Sequence, residues 1–189
     1  ELLASFAGRT NPNISWNWHP MTRERLCRRA IGRNECALAS KADVVYLAGA
    51  DYAWLSGCLD AIVAASLANP NAMIYPDTIE IHKNHTVGDR AVKRAAKHSW
   101  DELIEIDPLE FKPEKLKTAI GCLQIIPGDV ARAKGYLPDH PKYQKPVKKW
   151  ARTYEDIHAR RYYDLPCVPV EIPEIYRLRH SKAGRFARP

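Results

Sequence analysis

No stretch of this sequence is apolar for the roughly 18 residues a membrane-spanning helix requires. The longest candidate, residues 58–67, is interrupted by Asp60 and followed by Asn69-Pro70. No signal peptide is evident, and the chain opens on Glu1 without a methionine, which leaves room for a preceding segment. No CxxC pair occurs, which argues against a zinc site built from cysteines. The five cysteines (Cys27, Cys36, Cys58, Cys122 and Cys167) are odd in number and scattered, several of them inside apolar patterns. Buried free thiols in a reducing compartment, the cytoplasm, are therefore expected. Internal repeats are missing too, and acids are outnumbered.

The 29 Lys and Arg against 22 Asp and Glu leave a net charge of +7. That excess favours an anionic partner, such as a nucleoside diphosphate, a nucleic acid or an anionic surface. The basic residues concentrate at 23–33, 83–97, 142–161 and 177–188. Any one of these clusters is about as readily a solvated surface. With 189 residues, 46% of them hydrophobic, the chain suffices for one domain with a sizeable core.

Strand and helix patterns alternate, which predicts one layered α/β structure. Residues 1–7 read as a helix end and 14–18, alternating at period two, as a strand. A helix is expected over 23–40, with Thr22 as N-cap and Arg33-Asn34 near its middle. Residues 44–47 (Val-Val-Tyr-Leu) form a short β-rich run of the kind covered on both faces. A second helix is predicted over 56–68, with Leu59, Ile62, Val63 and Leu67 at helical spacing, then extended segments at 72–75 and 78–82. A helix is expected from Val87 onward. Gly121 opens a strand to Pro127, and Asp129 caps a short helix, 130–134, closed by Gly135-Tyr136. Residues 138–149, rich in Pro and Lys, read as an exposed mobile loop. A helix over 154–162, a strand at 168–172, an extended run at 175–180 and a basic tail, 181–189, complete the chain.

Asp51 follows the 44–47 strand across two small residues, Gly49 and Ala50. A carboxylate at the carboxyl end of a strand sits where open α/β sheets bind ligands, although Asp is also common in plain turns. Glu155-Asp156 open a helix flanked by Arg152, Arg160 and Arg161. Adjacent carboxylates on a helix diverge by about 100°, so at most one of the pair serves a given point. His180 ends an extended run. Asp and His are ordinary ligands for a divalent ion, and an acid near a helix N-terminus can be a general base.

The order of these features resembles the family-2-like, GT-A-fold inverting glycosyltransferases. Residues 31–37 (Ile-Gly-Arg-Asn-Glu-Cys-Ala) through Ala50-Asp51 look like the family's "ARN…A…D-x-x-x-x-x-D-A-D" stretch. Residues 121–136 resemble its small-residue strand, short helix and "GGY". Glu155-Asp156 with Arg160 resembles its "ED" plus Arg, and His180 its C-terminal His. The resemblance covers residues 23–180 and implies a single GT-A-like catalytic domain over 1–180, a Rossmann-like mixed sheet flanked by helices.

It further implies that Asp51 and His180 hold Mn²⁺ or Mg²⁺ on the diphosphate of a UDP-sugar. Asp156, or less readily Glu155, takes the acceptor proton. Arg33 and Arg185 approach the phosphates, with Asn34 and Ala50 in the nucleotide-sugar site. Gly121, Cys122 and Gln124 line the sugar side, and Arg160 holds the acidic pair. Two departures stand out. Gly49 replaces the first acid of the DxD motif. The family's first strand, which grips the nucleobase, has no counterpart before Glu1; either it lies upstream or the base is held differently. The expected acceptor is a saccharide or a modified DNA base. The alternatives are a non-catalytic basic nucleic-acid-binding domain and a metal-dependent nucleotidyltransferase.

Overall fold

A computed structural model describes residues 19–49, 51–55, 57–86, 88–90, 107–149 and 154–179. The described chain is a mixed α/β protein with two four-stranded sheets, five α-helices with defined ends and one 3₁₀ helix. The helix and strand expected at 1–7 and 14–18, the tail 181–189, and most of the helix expected after Val87 lie outside the described residues.

The expected helix 23–40 is two helices, α1 (Arg23–Leu26) and α2 (Arg29–Ala39). The break falls at Arg28, whose backbone leaves the helical region at φ −121°, ψ 81°. Its side chain is 7% exposed and its Nε donates to the Lys145 carbonyl at 3.4 Å. Neither Gly nor Pro marks that break, so local propensity does not foretell it. Thr22 precedes α1 without a side-chain capping bond.

Strand β1 (Val44–Ala48) follows, then β2 (Tyr52–Trp54) and α3 (Cys58–Ala68). The α3 pattern misleads: Cys58 and Ile62 are buried, whereas Leu59, Val63 and Leu67 are 54%, 49% and 72% exposed. Strands β3 (Met73–Pro76) and β4 (Thr78–His82) come next. A 3₁₀ turn, Pro108–Glu110, leads into β5 (Phe111–Lys115). Strand β6 (Leu123–Pro127) runs into α4 (Gly128–Lys134), whose N-cap position is Pro127; Asp129 lies in its first turn and does not cap it. Helix α5 (Glu155–Tyr163) and strands β7 (Cys167–Val170) and β8 (Ile175–Arg177) complete the described elements.

One sheet has the order β1-β6-β3-β7, the other β2-β8-β4-β5. In the first, β6 runs antiparallel to both β1 and β3, and β7 runs parallel to β3. Strand β1 is thus an edge strand with Val44, Val45 and Tyr46 half-buried, not one covered on both faces. Pro169 and Pro113 sit on the edge strands β7 and β5, where a missing N–H costs no ladder bond. The core is filled by Met73, Ile74, Leu123, Ile125, Ile126 and Ile175, with Tyr136, Tyr143 and Tyr163 among the most deeply buried side chains.

Segment 137–149 has no regular helix or strand, as expected, but it is not simply exposed. Leu137 and Tyr143 are buried, Gln144 donates to the Tyr136 and Leu137 carbonyls at 2.9 Å, and the Val147 N–H bonds to the Glu24 carbonyl at 3.0 Å.

Candidate functional site

The antiparallel pairing of β1 with β6 sets Ala48 opposite Leu123 and Leu47 opposite Gln124. The end of β1 therefore meets the start of β6, and Gly49 comes against Cys122. A Cβ on Gly49 would lie 2.7 Å from an Asp51 carboxylate oxygen and 3.0 Å from the Cys122 Cβ. The Asp51 side chain thus folds back over Gly49, and a larger residue there would have to displace that carboxylate.

Asp51 is held by the second sheet. Its carbonyl accepts from the Leu178 N–H at 2.8 Å, and its carboxylate lies 3.7 Å from the Arg177 guanidinium. Arg177 closes β8 and extends over the Tyr52 ring, 5.7 Å from its centroid. Cys122 donates its S–H to the Tyr52 hydroxyl at 3.1 Å. Burial pushes both the Tyr52 phenol and the Cys122 thiol above their ordinary values, so both stay protonated at neutral pH. Arg177 opens the basic 177–188 cluster, but nothing in the sequence sets it apart as a site residue.

On the other side of the same turn stands α5. A Cβ on Gly121 would lie 2.8 Å from the Asp156 Cβ, so the helix start packs directly on this glycine. Gln124, fully buried, donates to the Asp156 carbonyl at 3.1 Å. The C-terminal half of α5 is anchored on the end of α4: Tyr163 Oη donates to the Gly135 carbonyl at 2.6 Å and Tyr162 Oη to the Lys134 carbonyl at 2.8 Å.

The acidic pair divides as the helical angle requires. Glu155 is 1% exposed, with Oε1 3.2 Å from Arg29 Nε and 3.3 Å from Arg33 Nη1. Asp156 is only partly buried. Arg33 Nη1 also donates to the Tyr136 hydroxyl at 3.1 Å, and Tyr136 N–H donates to Asn34 Oδ1 at 2.8 Å. Burial raises the Tyr136 phenol to about 12, so it remains a neutral partner for Arg33.

Arg33 and Asn34 thus tie α2 to the 135–136 turn and to Glu155. Arg160 does not hold the acidic pair, as the resemblance implied. It donates to Thr118 Oγ1 and to the Ala119 carbonyl, and Arg29 and Arg33, on α2, take that part instead.

Asp51, Gly121, Cys122, Gln124, Glu155, Asp156, Arg33 and Asn34 are therefore gathered around the junction of β1, β6 and α5. Ala50, His180 and Arg185 lie outside the described residues. Among the described residues no group of three or more His, Cys, Asp or Glu side chains is arranged to hold a metal ion. The five cysteines are free thiols. No described helix is long and apolar enough to cross a membrane. No protein-family model matches the chain, and neither a curated protein nor a solved structure does.

Proposed function

We propose that this protein is a metal-dependent inverting glycosyltransferase of GT-A type, moving a sugar from a UDP-sugar to an acceptor hydroxyl. One observation carries the proposal. Asp51 and Asp156, far apart in sequence, flank the same Gly121-Cys122 turn at the end of a mixed sheet, with cations on both sides. Asp156 is the general base, because Glu155 is committed to Arg29 and Arg33 while Asp156 keeps partial exposure. A base near the acceptor, in line with the anomeric carbon, gains from orientation as well as from proton transfer.

Of the two expected donors only Asp51 lies among the described residues, and a carboxylate oxygen suits a hard divalent cation. Asp51 is 25% exposed, and its nearest described cation stands at 3.7 Å, too far for a strong hydrogen bond. Mg²⁺ and, by analogy, Mn²⁺ take one or two carboxylates and complete their shell with phosphate oxygens and water. Asp51, with His180 as a second ligand, would hold the ion, which supplies charge compensation for the departing nucleoside diphosphate. Arg177 adds a second cation to that side. Gln124 and Gly121 fix the start of α5, and Arg33 positions Glu155 and with it the helix.

The test is a screen of nucleotide sugars with Mn²⁺, following nucleoside diphosphate release, with Asp156→Asn as control. Wild type should release nucleoside diphosphate. Asp156→Asn should lose about 10²–10⁴-fold in turnover while binding UDP with Mn²⁺ as the wild type does. Release of pyrophosphate would identify a nucleotidyltransferase instead. Failure to bind any nucleotide with Mn²⁺ by calorimetry would sink both enzyme assignments.

A further inference from the structure

Segment 137–149 carries four lysines, and its backbone is fixed against the elements that hold the acidic pair. Tyr143, 1% exposed, packs its ring on His140 and His158, with centroids 4.2 and 5.4 Å away. His158 lies two residues beyond Asp156 on α5. The Lys142 ammonium stands 5.8 Å from the Tyr143 centroid. The Lys145 carbonyl accepts from buried Arg28, and Val147 bonds to the α1 backbone. Lys142, Lys145, Lys148 and Lys149 all remain exposed. Arg29, 38% exposed, is paired with Glu155. Exposed rings accompany the cations: Tyr154 is 55% exposed immediately before Glu155, and His158 is exposed as well.

We infer that this strip binds a nucleic-acid strand and, resting on the glycosyltransferase proposal, that the acceptor hydroxyl is carried by that strand and delivered to Asp156. Phosphates are met by cations held on a fixed backbone, so little order is lost on binding. Sequence-tolerant stacking on Tyr154 and His158 would take the bases. A saccharide acceptor has no use for a line of cations, and an anionic membrane or a sulfated polymer has none for the rings.

Binding is measured on the full chain by fluorescence anisotropy. The probes are a single strand of about 20 nucleotides and a duplex of similar length, titrated between about 50 and 200 mM salt. The comparison variant carries Lys145→Glu, Lys148→Glu and Lys149→Glu. A Gln series at the same positions is run beside it, and melting temperatures verify folding. Wild type should bind with a steep salt dependence. The Glu variant should lose at least about tenfold in affinity, and each lysine removed should flatten the log–log salt slope by about one. Tyr154→Ala should weaken single-strand binding further. UDP binding with Mn²⁺ should be unchanged in the lysine variants.

Equal binding by wild type and the Glu and Gln variants would overturn the inference. So would equally effective competition by heparin or by phosphatidylserine vesicles. Strand binding without any nucleotide binding would leave the strip standing and remove the transferase proposal. Nucleotide binding without strand binding would do the reverse.

Discussion

At the scale of single residues, the site separates into acids that keep some exposure and groups that fix them. Asp51 and Asp156 are partly exposed; Gln124 and Gly121 hold the Asp156 end of α5, Arg33 holds Glu155, and the Leu178 amide and Arg177 hold Asp51. In the proposed site Asp51 is the acid assigned to the metal, with Gly49 beside it in place of a second acid. Asp51→Ala is therefore expected to abolish Mn²⁺-dependent nucleoside diphosphate release and to lower Mn²⁺-supported UDP binding by at least tenfold. A calorimetric titration with and without Mn²⁺ reads both, and retained metal dependence in Asp51→Ala would place the ion elsewhere. The split within the acidic pair was foreseeable from the helical angle. Which residue turns inward was not, because the deciding partners Arg29 and Arg33 lie more than a hundred residues upstream.

At the scale of elements, α5 is a nine-residue polar helix whose position depends on docking rather than on its own propensity. Its inward end rests on Glu155, which is 1% exposed and shares an oxygen with Arg29 and Arg33. Arg33 is itself only 11% exposed. Replacing Glu155 by Gln leaves a buried guanidinium without its counter-charge, which costs about 3–5 kcal/mol in comparable pairs. Urea unfolding of Glu155→Gln should show a loss of that order with an unchanged m-value. A loss below about 1 kcal/mol would mean that water reaches Arg33.

Strands β1, β4 and β6 and helices α3 and α5 were legible from their patterns to within two residues. Three other features were not. The α1–α2 break falls at Arg28, whose buried side chain meets a carbonyl more than a hundred residues away, at Lys145. The α3 stripe of Leu59, Val63 and Leu67 looks like a core face because periodicity cannot say which side is covered. Segment 137–149 looked solvated because one buried tyrosine outweighs four lysines only once its His140 and His158 neighbours are in place.

At the scale of the whole molecule, stability couples to pH through a residue outside the site. His82 on β4 is 1% exposed, stacks on Phe111 with centroids 4.1 Å apart, and has an Nδ1 without a hydrogen-bond partner among the described residues. Burial lowers its pKa below the ordinary value of 6.5, against a smaller opposing pull from the Glu110 carboxylate. Below 6.5 the unfolded chain takes up the proton more readily than the folded one. The stability this histidine confers is thus complete above about pH 6.5 and is lost as pH falls toward the depressed folded value. Melting temperature should drop between about pH 7.5 and 5, and His82→Phe should have a shallower pH slope. Parallel curves for the two proteins would show that His82 carries none of the dependence.

The two acids of the site have different owners. Asp156 is fastened to the first sheet, through Gln124 on β6 and the contact with Gly121. Asp51 is fastened to the second, through the Leu178 amide and Arg177 at the end of β8. The gap between them is therefore a caliper whose jaws are the two sheets, and Gly49 lies where the chain crosses from one jaw to the other. A rotation of one sheet against the other would alter the distance between Asp156 and Asp51 without moving either side chain from its own anchor. On the glycosyltransferase proposal, the spacing between the two acids is thus set by the seam between the two sheets, where Gly49 lies beside Asp51.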